Sequence, residues 1–167
     1  MKKIKLTQGK YALVDNEDFE SLNQFKWFYA DGEGNRQGYA VRSVYQGKNS
    51  NPKTIKMHRV ILKVKLATEF CDHINNDKLD NRKSNLRIAT RSQNGINRLK
   101  FFTQRMTSIY KGVYYDKSGK GRWRALIRKN NKNINIGSFK TEKEAASAYN
   151  NLAKKHFGDF AFLNQLT

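Results

Sequence analysis

The chain has 167 residues, with 33 Lys and Arg against 14 Asp and Glu, which gives a formal net charge of +19 at pH 7. This excess points to a polyanionic partner, and the lack of any apolar run near the roughly 20 residues of a membrane span favours nucleic acid over a membrane surface. One cysteine, Cys71, excludes an internal disulfide framework and the paired ligands of a zinc finger, so any metal must be held mainly by oxygen.

The first 56 residues predict a β-rich segment. YALV (11–14) predicts a short strand, and Asp15 is placed to cap a short helix over 16–25. KWFYA and YAVRSVYQ predict two strands on either side of the turn-rich DGEGNRQG. The apolar run IKMHRVILKV (55–64) predicts either a strand or a short helix.

Residues 71–94, CDHINNDKLDNRKSNLRIATRSQN, combine one aspartate-histidine pair with recurring asparagines. Taken singly, such a histidine is most often a surface turn residue, and such asparagines are turn formers. Thr90 and Gln93 have the spacing of a capping box, which predicts a helix with Asn94 in its first turn. Arg98 lies four residues further on, and therefore on the same face of that helix.

The C-terminal third predicts a small two-layer module. LKFFTQRMTS (99–108) shows no periodicity and predicts a junction near residue 105. Three strands (110–115, 122–129, 133–139) precede a helix over 142–156, which begins with the capping box Thr141–Glu144 and ends before Gly158. In RWRALIR, alternation predicts a mostly arginine face, with Arg122, Arg124 and Arg128, opposite an apolar face.

This module resembles an AP2/ERF domain in YKGV, GRWRALIR, IGSF, TEKEAASAYN and GDFAFLN. The resemblance implies a three-stranded antiparallel sheet that enters the major groove of DNA, with the helix packed behind it. It places Lys111, Tyr114, Asn133 and Asn135 on DNA-facing strands. Asp116 and Asn135 depart from the arginine and tryptophan usual in plant members, so the base preference is not carried over.

The central segment resembles the HNH nucleases, also called ββα-metal or His-Me finger enzymes. The matching motifs are DH (72–73), LDNR (79–82), SNLR (84–87), QNGIN (93–97) and the lead-in MHR (57–59). Joined to an AP2-like module, this arrangement resembles phage and mobile-intron homing endonucleases. Asn75 and Asn76 stand where relatives carry a turn glycine, and asparagine tolerates the positive φ required there.

The resemblance implies a role for each matched residue. His73 takes a proton from the attacking water, Asn85 orients the histidine and ties the loop, and Asp72 with Asn94 holds one Mg²⁺ (or Mn²⁺) per active site. As strand neighbours, Asp72 and His73 point to opposite faces unless a bulge or bend intervenes.

Three basic residues of the central segment are expected to contact DNA, namely His58, Arg59 and Arg98. For His58, support of the catalytic loop and a buried hydrogen-bonded position are equally open. Cys71 is expected to be buried in a strand, and His156 to lie at a helix C-terminus without a functional role.

Together these observations predict an α+β protein. Residues 1–104 form the nuclease domain, with a β-rich part over 1–56 and the HNH motif over 57–100, and residues 105–167 form the AP2-like domain. The expected activity is metal-dependent, site-directed cleavage of duplex DNA by a monomer, with a dimer possible and no protein partner required. A non-catalytic DNA-binding regulator with a structural HNH motif is the main alternative, and an RNA-binding protein is the weaker one.

MKKIKLTQGK lacks the apolar stretch of a secretory signal, and no membrane segment is expected. The expected location is therefore the cytoplasm of a bacterial or phage-infected cell.

Overall fold

The computed structural model describes residues 1–32, 37–47, 50–66, 68–100, 106–118 and 121–166. Within them the chain is a mixed α/β protein with several small sheets and four α-helices. It divides into two compact units, Met1–Asn94 and Gly95–Thr167. The predicted junction near residue 105 lies outside the described residues.

The first unit is built from short antiparallel pairings. Its described strands are β1 (Lys2–Lys5), β2 (Tyr11–Val14), β3 (Phe28–Ala30), β4 (Tyr39–Val44), β5 (Lys53–Lys56), β6 (Phe70–His73) and β7 (Leu86–Ala89). Strands β1 and β2 form a hairpin, β3, β4 and β5 form a sheet in that order, and β6 and β7 form a second hairpin. The helices are α1 (Asn16–Asn23), α2 (Met57–Ile61) and α3 (Arg91–Asn97), of which α3 crosses the division between the units.

The segment over 55–64, for which strand and helix were both open, contains the end of β5 followed by α2. Met57, His58 and Ile61 are buried on α2, a spacing that one face of a short helix produces. Met57 and Ile61 join a core with members from both hairpins and α1, including Ile4, Val14 and Leu22. The apolar spacing thus fixes α2 on the core.

Strand β2 holds the central motif in place. The Leu13 N–H donates to Leu79 O at 2.8 Å, and the Asn81 N–H donates to Leu13 O at 2.8 Å. Asp15 occupies the N-cap position of α1 as predicted, but its side chain makes no cap bond. Its Oδ2 instead accepts the Lys83 N–H at 2.8 Å. Leu13 within β2 and Asp15 just after it therefore anchor residues 79–83 at both ends.

The second unit contains the predicted three strands and helix. Strands β8 (Val113–Asp116), β9 (Arg122–Lys129) and β10 (Lys132–Phe139) form an antiparallel sheet in the order β10-β9-β8. Helix α4 (Glu142–Phe157) packs on all three strands and starts with the predicted capping box at Thr141 and Glu144. Ala125 and Ile127 of β9 are buried with Ala145 and Tyr149 of α4.

Among the described residues, none of the helices combines the length and apolar character that crossing a membrane requires.

Gly112 offers a test of this packing. Its φ is +74°, and an added Cβ would lie 2.3 Å from Tyr149 Cδ2 and 2.5 Å from Leu126 O. Gly112→Ala is expected to lower the free energy of unfolding by about 2 kcal/mol or more, through strain and overpacking. Gly95→Ala in α3 is the matched control, since its added Cβ meets nothing within 4 Å. It should be stabilising by up to about 1 kcal/mol. Equal urea midpoints for the two variants would contradict this packing.

Candidate active site

The aspartate-histidine pair ends strand β6. Asp72 is 4% exposed and His73 is 5% exposed. Their register with β7 is regular, with Asp72 opposite Arg87 and His73 opposite Leu86. No bulge turns the two side chains toward each other, so they leave the hairpin on opposite sides.

Asp72, the predicted metal ligand, is held by an arginine. Arg87 Nε lies 2.8 Å and Arg87 Nη2 lies 2.6 Å from Asp72 Oδ2. The side chains are 5% and 15% exposed, so the ion pair is largely out of water. Removing one member of such a pair leaves an uncompensated buried charge.

His73 packs on the other side against two aromatic rings. The His58 ring is 5.0 Å from it, centroid to centroid, in an edge-to-face arrangement. The Tyr39 ring is 6.2 Å from His73 and 5.2 Å from His58. His58 itself is only 5% exposed, and its ring packs against His73. A DNA contact by His58 and its support of the catalytic loop both stay predictions.

Burial governs the protonation of both histidines. Burial first, then the charges of His73 and Lys56, lowers the pKa of His58 to about 3, so this ring is neutral at pH 7. Burial also lowers the pKa of His73, although contact with the Asn81 side chain and nearby aspartates act in the opposite direction. His73 is therefore in the neutral form that can accept a proton at pH 7.

The loop between β6 and β7 is closed by Asn85. Its Nδ2 donates to Asp80 O at 2.8 Å, and its Oδ1 accepts the Asn75 N–H at 3.0 Å. Asp80, which is 2% exposed, receives Arg82 Nη2 at 2.6 Å and Asn75 Nδ2 at 3.0 Å. The Arg82 guanidinium holds the pKa of Asp80 below its ordinary value. Asn85 thus lies where a loop tie was predicted, and Asn81 is the asparagine that reaches the His73 side chain.

The turn after His73 has the backbone that the asparagines predicted. Asn76 has a φ of +64°, and its N–H donates to His73 O at 2.9 Å. Asn75 Oδ1 accepts the Asp77 N–H at 2.8 Å, which forms an Asx turn. Asn76 therefore adopts the positive φ that was expected at this turn.

Asn94 lies in the first turn of α3, which begins with the predicted capping box. The Thr90 N–H donates to Gln93 Oε1 at 2.8 Å, and the Gln93 N–H donates to Thr90 Oγ1 at 3.2 Å. Asn94 is half-buried. Among the described residues, no three His, Cys, Asp or Glu side chains cluster as a metal site. Asp72 and Asn94 are nevertheless hard oxygen donors, and Mg²⁺ often takes one or two protein oxygens and completes its shell with water and phosphate.

Arg59, the other predicted DNA contact on α2, donates hydrogen bonds within the first unit. Its Nη1 donates to Glu69 O at 3.0 Å, and its Nη2 donates to Leu66 O at 3.0 Å. Arg98 is exposed, and its carbonyl accepts Lys111 Nζ at 2.6 Å.

Cys71 is half-buried rather than buried, and burial raises the pKa of its thiol.

In the second unit, strand pairing collects most of the predicted DNA-facing residues on one side of the sheet. Arg124 pairs with Tyr114 on β8, and Arg128 pairs with Asn133 on β10. This open face lies opposite the buried Ala125 and Ile127 that meet α4. Its members are Tyr114, Asp116, Arg122, Arg124, Leu126, Arg128, Asn133 and Asn135.

Lys111 and Arg124, two predicted DNA contacts, make hydrogen bonds or ion pairs within this unit. Lys111 Nζ donates to Ile96 O and to Arg98 O, each at 2.6 Å. Burial lowers the pKa of Lys111 to about 8. Arg124 Nε lies 2.6 Å from Asp116 Oδ2 on the open face. His156 lies in the last turn of α4, with its Nδ1 3.3 Å from Lys129 Nζ.

Several residues at the site had no predicted role, namely Tyr39, Asp80, Asn81, Arg82 and Arg87. Four of these five lie inside the LDNR and SNLR motifs, so their position was flagged although their contacts were not. Tyr39 reaches the site from β4, which is distant in sequence. Only folding brings its ring to His73.

Comparison with known proteins gives two matches and one absence. The model of the family "HNH endonuclease" matches residues 56–96. A protein of Acanthamoeba polyphaga mimivirus named "Uncharacterized HNH endonuclease L560" is 31% identical over 164 residues, which cover 95% of this chain and 77% of that protein. No solved structure matches the chain significantly.

The Asp72–Arg87 pair predicts a stability effect. In EDTA, Arg87→Gln should lower the free energy of unfolding by about 3 kcal/mol, because Asp72 then stays buried without its counter-ion. Lys83→Gln is the control, since the Lys83 side chain is 45% exposed and pairs with Glu17, which is 69% exposed, and with Asp18, which is 20% exposed. It should cost less than about 1 kcal/mol. Urea unfolding of the two variants measures the difference, and equal losses would show that the Asp72–Arg87 pair contributes no more than a surface pair.

Proposed function

The chain belongs to the HNH endonuclease family and is a nuclease; from this premise we propose a homing-type, site-directed and metal-dependent endonuclease that hydrolyses phosphodiester bonds in duplex DNA. The observation that carries this proposal is His73, buried and neutral at the end of β6, next to Asp72 and against a tied loop. The net charge of +19 supports a polyanionic substrate.

His73 is proposed as the general base. Its imidazole takes the proton of the attacking water, which requires the neutral ring that burial favours. His58 and Tyr39 hold the ring from one side, and Asn81 contacts it within the loop. Asn85 acts at one remove, since it ties the loop that follows His73. A base kept in one orientation saves the reorganisation that would otherwise precede proton transfer.

Asp72 and Asn94 would hold one Mg²⁺, or Mn²⁺, through carboxylate and amide oxygens. When bound, the ion would compensate the charge that develops on the phosphate and the leaving oxygen. Asp72 is engaged by Arg87 in the structure, so binding an ion changes the balance of charge around that carboxylate. The chain's own part is to present a hard anionic ligand one residue before the base.

The second unit is proposed to be an AP2-like DNA-binding domain over residues 105–167, with residues 1–104 forming the nuclease domain. The open face of its sheet supports this, since arginine can donate two bonds to guanine in the major groove and a sheet can enter that groove. A monomer in the cytoplasm remains the accompanying prediction.

The second candidate is a DNA-binding regulator that does not cut. The buried Asp72–Arg87 pair favours it, because a carboxylate committed to an ion pair can serve structure alone. The two candidates differ in whether metal changes the covalent state of the DNA.

Cleavage separates them. Supercoiled and linear DNA are incubated with Mg²⁺ or EDTA, and His73→Ala should reduce the metal-dependent rate by about 100-fold or more, since general-base catalysis contributes that much. His156→Ala in α4 is the matched histidine control and should cut at the wild-type rate. DNA binding without metal-dependent cutting by the wild-type protein would establish the regulator instead.

The open face of the second unit generates a binding prediction. Arg122→Ala with Arg128→Ala, made in His73→Ala protein and measured in EDTA, should weaken duplex binding by about tenfold or more, because each base-directed arginine is worth about 1 to 3 kcal/mol. Lys154→Ala with Lys155→Ala removes equal charge from α4 and should have a smaller effect. Equal losses in anisotropy titrations would show that the sheet face is not the DNA surface.

A further inference from the structure

Two lysines converge on one aromatic ring beside His73. Lys56 Nζ lies 4.7 Å and Lys78 Nζ lies 4.5 Å from the centroid of the Tyr39 ring. The three residues come from separate parts of the first unit: the end of β5, the loop after β6, and the start of β4. No sequence motif joins them, so the cluster exists only in the fold.

The cluster is held in place. Lys78 Nζ donates to Gln37 O at 2.6 Å, and the Lys78 N–H donates to Gln37 Oε1 at 2.7 Å. The Tyr39 ring stands 6.2 Å from the His73 ring. Both lysines also act on the pKa of His58, which places their charges close to the buried ring that supports His73. The two ammonium groups are therefore positioned at the candidate base rather than spread over the surface.

The charge around these lysines calls for an anion. Two like charges at one ring repel each other, and the two cation–π contacts offset only part of that repulsion. An anion that meets both ammonium groups relieves that repulsion.

The two sides of β6 therefore carry different groups, a carboxylate on one side and two lysines on the other. Asp72 leaves β6 on one side, and the ring of His73 leaves it on the side of Tyr39. A cation is suited to the first side and an anion to the second. A phosphate next to the bond being cut is the anion that a nuclease would bring there.

We propose that Lys56, Lys78 and Tyr39 form a phosphate-binding subsite that positions the DNA backbone beside His73. The inference rests on the proposed function for the identity of the anion. It adds Tyr39 and Lys56 from the β-rich N-terminal part, and Lys78 from within the HNH segment, as positioning residues. Lysine binds phosphate as a point charge, and the hydrogen bonds of Lys78 to Gln37 limit how far that side chain can move.

Salt dependence of binding tests the subsite. Duplex DNA is titrated in EDTA over a range of KCl, with binding followed by fluorescence anisotropy. The double variant Lys56→Ala/Lys78→Ala should lower the slope of log affinity against log salt by about 1, because one phosphate contact is lost at about 0.9 per contact. Lys53→Ala is the control, since Lys53 lies on the same strand but three residues away, and therefore on the opposite face of β5. A fall of about 1 for Lys53→Ala as well would mean diffuse attraction and overturn the proposal.

The histidine rings supply a local readout. In EDTA, duplex DNA should shift the NMR ring signals of His58 and His73 in wild-type protein, and these shifts should be lost in the double variant. His156 is the internal reference and should respond equally in both proteins. Shifts of equal size from inorganic phosphate, at matched phosphate concentration, would overturn the assignment to a DNA backbone, and larger shifts from duplex RNA would assign the subsite to RNA.

Because these measurements contain no metal, they separate the two proposals. A protein that never cuts but shows the shifts refutes the cleavage proposal and keeps the subsite. A protein that cuts in a manner dependent on Mg²⁺ and His73, but shows unchanged shifts in the double variant, refutes the subsite and keeps the cleavage proposal.

Discussion

A buried carboxylate organises the centre of this protein. Asp80 is 2% exposed, and a charge in that position must be satisfied by hydrogen bonds within the fold. Arg82 and Asn75 provide them from the two sides of the loop, while Asn85 ties the Asp80 carbonyl to the end of that loop. The conformation between β6 and β7 is therefore closed on itself. The position of His73, where the loop begins, follows from this closure.

The surroundings of His73 combine three physical effects that favour a base. Burial lowers the pKa of His73 and so keeps the ring neutral, while Asp72, Asp77 and Asp80 offset part of that decrease in pKa. Packing against His58 and Tyr39 fixes the plane of the ring. A base needs a proton affinity near the working pH as well as a fixed position. His58 contributes through packing because its own burial, with a pKa of about 3, removes it from proton transfer near neutral pH. Under the proposed function, His73 is therefore the base and His58 a packing residue.

Basic residues in this chain divide between internal and external use. Lys111 and Arg59 donate hydrogen bonds to backbone carbonyls inside their units. Lys100 Nζ does the same, donating to Ser108 O at 2.9 Å and Tyr110 O at 2.7 Å. Arg122 and Arg128 remain exposed on the open sheet face. The net charge of +19 is thus not a direct count of DNA contacts. A basic side chain can bind a polyanion only where it is not already held by hydrogen bonds inside the fold.

The sequence by itself determined the features that arise from local chemistry. Strand alternation predicted the two faces of β9, capping boxes predicted the starts of α3 and α4, and asparagine tolerance of positive φ predicted the turn at Asn76. Each of these depends on residues a few positions apart, so the pattern is visible in a line of letters. The resemblance of the central motifs also pointed to the HNH family, which the family model over residues 56–96 and the mimivirus relative support.

Only the tertiary structure decided which distant groups meet. Arg87 on Asp72, Tyr39 and His58 on His73, and the use of Asp15 by Lys83 rather than as a helix cap all join separate elements. Short-range periodicity holds no information on such pairings. They follow instead from ring packing and from the cost of leaving buried charges and hydrogen-bonding groups without a partner when the sheets close.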